Sequence, residues 1–199
     1  MARLAAWAAL AAICVLPGPR LAAAAAPAPA RAAQLARDPL SPAEADQLRD
    51  AAGNPEKRVS LLLGFAQDRL TRFEQSRAGA APDRQATMYR MLQEFDGILS
   101  ELDDNLDEWM SGHVTSEMAA KPKLEKPLAA VIAADRGFLA QLAKIQSSSS
   151  AADLASYHFE LSDVTDDTRQ NLQDAQDDVA ELTKRKQEAQ AAKKKKHER

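Results

Sequence analysis

The stretch DRQATMYRMLQEFDGILSELDDNLDEWM, residues 83–110, decides the fold. Met88, Phe95, Leu102 and Trp109 recur every seven residues, and Met91, Leu92, Ile98, Leu99 and Leu106 fill the steps of three and four between them. At 3.6 residues per turn these positions make one apolar stripe on a helix about 40 Å long. The other face carries Glu94, Asp96, Glu101, Asp103, Asp104, Asp107 and Glu108. A stripe of this kind is stabilised by burial against a partner rather than by helix propensity. The rest of the chain must therefore supply partner helices.

The flanking segments read as such partners. Upstream, Ser41-Pro42-Ala43-Glu44 opens a short helix: Ser as N-cap, Pro in the first turn, and Glu three residues on to complete a capping box. That helix stops at Gly53, and Asn54-Pro55 repeats the start signal for a second helix running to about Arg77. Val59, Leu62, Leu63, Ala66, Leu70 and Phe73 form its main stripe, while Leu61 and Phe65 fall roughly opposite. Either the short first helix folds back across these two, or they form a partner-binding surface. Residues 78–82 are a loop, and Asp83 caps the third helix.

Downstream, the pattern weakens between Ser111 and Pro127. A fourth helix then carries Leu128, Val131, Ile132, Asp135, Phe138, Leu139, Leu142 and Ile145 on one side. After the serine loop 147–150, the last helix repeats Leu154, Tyr157, Leu161, Val164, Thr168, Leu172, Ala175, Val179 and Leu182 at heptad-like steps. Beyond Lys186 the stripe gives way to charge, Gln and Ala. The expected fold is all-α: an antiparallel up-and-down bundle of four long helices, with a short extra N-terminal helix. Scarce aromatics (5%) and only seven glycines suit long helices packed side by side.

The ends read differently. Arg3 gives a basic start, Leu4 to Leu16 is an unbroken apolar run of 13 residues, and Pro17-Gly18-Pro19 and an Ala-rich stretch follow. That is the order of a secretory signal peptide, with cleavage expected after Ala24 or Ala25. A retained anchor is the alternative, although a bilayer needs about 20 apolar residues. The expected organisation is therefore a signal peptide over 1–25, an Ala/Pro-rich linker over 26–40, the bundle over 41–186 and a basic tail over 187–199. Export implies a periplasmic or extracellular location. Cys14 lies within the apolar run, so the mature chain would hold no disulfide or thiolate chemistry.

Charge divides along the chain. Losing Arg3 and Arg20 takes the formal net charge from −3 to −5, and residues 184–199 hold eight basic and two acidic side chains. The body between is thus near −11, which argues against nucleic acid as its partner. The Lys193-Lys194-Lys195-Lys196 run is a candidate contact with anionic lipid or cell-wall polymer, at most a peripheral one.

Catalytic and metal chemistry find no motif. The residue three before His113 is Met110, and that before His158 is Ala155, so neither His completes the Glu-x-x-His of di-iron bundles. Asp163 to Asp167 lacks the glycine and ligand spacing of a calcium loop. No cofactor or metal ligand is assigned. Asp135 is the exceptional residue, standing on an apolar stripe; it either pairs with an Arg or with Tyr157, or lies at the stripe's margin. Arg69 and Arg72 flank the second helix's stripe and are candidates to meet such carboxylates.

Leu40-Ser41-Pro42-Ala43-Glu44 resembles the Leu-Thr-x-x-Gln element of the periplasmic stress chaperones of the Spy and CpxP type. Here Ser stands for Thr and Glu for Gln, and the element occurs once where that group repeats it. The resemblance implies a secreted helical holdase that shields unfolded clients. The reading from the residues themselves is a non-enzymatic envelope binding or scaffolding protein, with an envelope protein as partner and homo-oligomerisation compatible with its long stripes.

Overall fold

The computed structural model describes residues 38–111 and 123–197, all within one compact unit. The signal-peptide reading, Cys14, His113 and most of the proposed linker lie outside the described residues. Those described form five helices: α1 (Pro42–Asp50), α2 (Pro55–Ala78), α3 (Arg84–Ser111), α4 (Glu125–Ser148) and α5 (Ala151–His197). No strand occurs among them.

Local chemistry sets the boundaries. Ser41 Oγ accepts from the Glu44 N–H while Glu44 Oε2 accepts from the Ser41 N–H, completing the capping box of α1. Asn54 Oδ1 accepts from the Lys57 N–H and Pro55 occupies the first turn of α2. Ser150 Oγ accepts from the Asp153 N–H at the start of α5. The fourth helix begins at Glu125, two residues before Pro127; its N-cap Leu124 offers no side-chain hydrogen bond. Pro127 is tolerated there because first-turn N–H groups have no carbonyl to bond.

The stripe of α3 is the floor of the core. Met88, Met91, Leu92, Phe95, Ile98, Leu99, Leu102, Leu106 and Trp109 are all buried. Phe95 meets Phe138 of α4 edge to face at 5.2 Å, and Phe73 of α2 meets Tyr157 of α5 in the same way. Consecutive long helices alternate in direction as expected, but their order around the bundle is α2, α3, α5, α4. Two short connections, 79–83 and 149–150, force α2–α3 and α4–α5 into antiparallel hairpins. The 13 residues from 112 to 124 are long enough to let α4 begin diagonally across from α3.

The two hairpins therefore lie side by side in the same sense. Arg84 and Asp153, at the starts of α3 and α5, form an ion pair, and near the other ends Arg185 donates to the Met110 carbonyl. Lys126 and Glu56 stand 3.7 Å apart at the starts of α4 and α2; at their ends Arg77 Nη1 donates to Ser148 Oγ at 2.7 Å. So α3 and α5 are parallel neighbours, as are α2 and α4.

Candidate functional site

That parallel arrangement brings acidic residues together. Across the α3–α5 seam, Asp96 lies against Asp167, Asp103 beside Asp174, and Asp107 beside Asp178, each pair 71 residues apart in sequence. Both chains of carboxylates step by sevens, since Asp96 and Asp103 recur at heptad spacing, as do Glu160, Asp167 and Asp174. Parallel helices keep such positions in register along their whole length. Burial first, then the Asp167 carboxyl, pushes Asp96 up to about 6. Burial and neighbouring carboxylates raise Asp103 and Asp178 as well. Glu160 is also raised by burial, although the Tyr89 hydroxyl bonded to it works the other way.

Behind the seam stands Asp135. It is 0% exposed, and neither carboxyl oxygen has a hydrogen-bond partner. This corrects both sequence readings of the residue, because it is neither paired nor marginal. The expected partners are engaged elsewhere. Tyr157 donates to Ser149 Oγ at 2.6 Å, Arg72 pairs with Asp68 at 2.8 Å, and Arg69 is held by Glu44, Asp68 and Glu94. Burial, with the Asp103 carboxylate adding to it, lifts Asp135 to about 7, since ionising a carboxyl among apolar neighbours forfeits its hydration.

A second feature lies on the opposite flank of α5. Ala129, Ile132, Ala133, Val179 and Leu182 floor a groove of about 280 Å³ between α4 and α5, rimmed by Arg136 and by Lys186, which pairs with Glu125. Beyond Lys186 the last helix continues for 11 residues to His197, about 16 Å past that pair. The tail carrying Lys193, Lys194, Lys195 and Lys196 is therefore helical, and the side chains of Lys194 and Lys195 are exposed.

Leu61 and Phe65 are half-buried and pack against the core cluster. The short first helix docks nearby on α2: Arg58 donates to the Leu48 carbonyl, and Arg69 to Glu44 and the Pro39 carbonyl. Ser41 and Glu44, which carry the chaperone resemblance, are thus engaged in capping α1 and pairing with Arg69. The large hydrophobic side chain that is exposed among the described residues is Phe159, at 83%. Sequence reasoning missed it, though its position two residues after Tyr157 puts it off the stripe.

Among the described residues no group of three His, Cys, Asp or Glu side chains is placed to hold a metal ion. No described helix is long and apolar enough to cross a membrane. The chain matches no protein-family model, and neither a curated protein nor a solved structure matches it.

Proposed function

We propose that this chain is an exported, non-enzymatic helical bundle that binds or scaffolds in the cell envelope, with the free end of α5 as its contact with anionic lipid or polymer. The observation that carries the reading is the length of α5. Its 47 residues outrun the 24 of α4, so its basic end projects beyond the Lys186–Glu125 pair. A cluster of cations on a projecting rod can approach an anionic surface while the acidic body is kept away from it. The basic start, apolar run and small-residue site at the N-terminus support export.

Cosedimentation of the mature chain with vesicles tests the contact. Binding is expected to phosphatidylglycerol vesicles and not to phosphatidylcholine, to weaken with salt, and to disappear when the chain ends at Lys186. Equal binding by the shortened chain would refute it. Cell fractionation tests export, and a full-length product confined to the cytoplasm would count against the envelope. The alternative, a holdase resembling the Spy and CpxP type, calls for exposed apolar surface, and Phe159 is the residue that offers it. Suppression of a client's aggregation, lost in Phe159→Ser, would favour that second reading.

A further inference from the structure

We propose that the two helical hairpins form a proton-dependent hinge, pinned at their loop ends by Arg77 and Arg84, closed along the α3–α5 seam while Asp96, Asp103 and the Asp135 behind them are protonated, and parted at the far end when these three ionise.

The geometry is asymmetric from end to end. At the loop end, Arg77 Nη1 reaches Ser148 Oγ, Ser149 Oγ and the Ile145 carbonyl. Arg84 pairs with Asp153 and donates to the Arg77 carbonyl at 3.0 Å. Phe73 packs on Tyr157, whose hydroxyl is bonded to Ser149. Every one of these contacts, except that from Arg84 to Arg77, ties one hairpin to the other or braces such a tie. Further along, the hairpins still share the apolar core, but at its α3–α5 edge they meet through like charges.

The charged groups around the seam can be named helix by helix. From α3 come Asp96, Asp103, Asp104 and Asp107, with the Tyr89 hydroxyl; from α5 come Glu160, Asp163, Asp167, Asp174, Asp177 and Asp178, with Arg185 the cation beside Asp178. From α4 comes Asp135, on which Asp103 bears. The cations α2 presents to α3 are already committed: Arg58 to Glu101 at 2.9 Å and Arg69 to Glu94 at 2.8 Å. Phe95 on Phe138 and the Tyr89–Glu160 hydrogen bond hold the hairpins together as far as the middle of the bundle. The remaining polar ties, Gln67–Gln141, Lys126–Glu56 and Arg185 to the Met110 carbonyl, involve exposed side chains and hold weakly in water.

Ionising the seam sets carboxylates of one sign against each other, and ionising Asp135 places a charge in the core with nothing to answer it. Asp96 at about 6 and Asp135 at about 7 make the change fall within an ordinary environmental range. Parting at the far end relieves both, because water reaches each carboxylate. It also uncovers the inner faces of Leu102, Leu106 and Trp109, which lie on the part of α3 remote from the pin. This device does not depend on the surface contact proposed for the end of α5.

Hydrogen exchange of the full chain at pH 5 and pH 8, with rates normalised for the intrinsic effect of pH, reads the hinge directly. Amides in 96–110 and 167–182 should lose protection by about tenfold or more at pH 8, while those in 70–78, 84–92 and 142–148 keep theirs. The triple variant Asp96→Asn, Asp103→Asn, Asp135→Asn should erase the step, and 1 M salt should reduce it in the unaltered chain. Protection that does not change with pH, or a loss spread equally over both ends, overturns the proposal. So does a folded triple variant that retains the step.

Discussion

Arg69 and Glu44 are joined by two parallel hydrogen bonds, Nη1 to Oε1 at 2.9 Å and Nη2 to Oε2 at 2.7 Å. The pair couples three levels of structure. Glu44 caps its own helix through Ser41, Arg69 rises from the buried side of α2, and its remaining nitrogen Nε lies 2.8 Å from Glu94 of α3. A guanidinium suits this position because its planar fork meets two carboxylates and a carbonyl at once.

Replacing Arg69 by Ala should cost about 3–5 kcal/mol, because Glu44 would lose its counterion in a poorly hydrated place and Glu94 would be left with Arg90 alone, at 3.6 Å. Arg69→Lys should recover little, since an ammonium cannot reproduce the fork. Urea unfolding at pH 7 measures both. A loss below 1 kcal/mol for Arg69→Ala would show that α1 contributes nothing through this contact.

Stability should peak near pH 4, unusually low for a folded domain. Burial alone would raise Glu44, but its bonds to Arg69 and Ser41 prevail and hold it at about 2, against an ordinary 4.5. A lowered carboxyl contributes stability above 4.5 that is lost as pH falls towards 2, on the order of 3 kcal/mol. Asp135 has the opposite sign. Raised from 3.8 to about 7, its contribution is full below 3.8 and lost as pH climbs through 7, on the order of 4 kcal/mol; Asp96 acts in the same direction up to about 6. Urea midpoints from pH 2 to 8 trace the curve. Asp135→Asn should flatten the alkaline limb and leave the acid limb as it was. A plateau from pH 5 to 8 in the unaltered protein would contradict this account.

How much of this was readable beforehand follows from which contacts are local. Ser41 and Glu44, or Asn54 and Lys57, lie three residues apart, so their caps are legible in the chain itself. The stripe at Met88, Phe95, Leu102 and Trp109 is legible for the same reason, because a helix repeats its faces by rule. The acidic seam was hidden. Asp96 and Asp103 read as a solvated face of α3, and nothing local says that α5 will lie against that face in the same direction. That follows from the ring order, which the 13-residue connection permits and the sequence leaves open. Asp135 stood out by its place on a stripe, but its lack of a partner depends on where Arg69 and Tyr157 are spent. The half-burial of Leu61 and Phe65 is likewise a property of the assembled bundle.

The aromatic contact between α3 and α4 should be a strong point of the core. Phe138 is buried and meets Phe95 at an interplanar angle of 87°. Phe138→Ala should cost about 3–5 kcal/mol, the usual range for removing a buried ring. A double-mutant cycle with Phe95→Leu should return a coupling of about 0.5–1.5 kcal/mol. Additive losses would mean that the rings only fill space and gain nothing from their mutual orientation.

Three helical glycines should respond to the same substitution with different signs. Ala is favoured over Gly inside a helix by about 1 kcal/mol, so open positions gain from the change. Gly64 and Gly137 are open, with nothing within 4 Å of an added Cβ, and Gly64→Ala and Gly137→Ala should each raise the urea midpoint. Gly97 faces Pro39 instead, whose Cβ and Cγ would lie 2.9 and 3.0 Å from the new methyl. The Pro39 ring cannot bend away, and its carbonyl is held by Arg69 Nη2 at 3.0 Å, so the segment must lift off α3 or the helices must shift. Gly97→Ala should therefore cancel its propensity gain or lose about 1 kcal/mol net, and the loss should shrink when Pro39 is also changed to Gly. If all three alanine variants stabilise equally, Pro39 does not rest on α3.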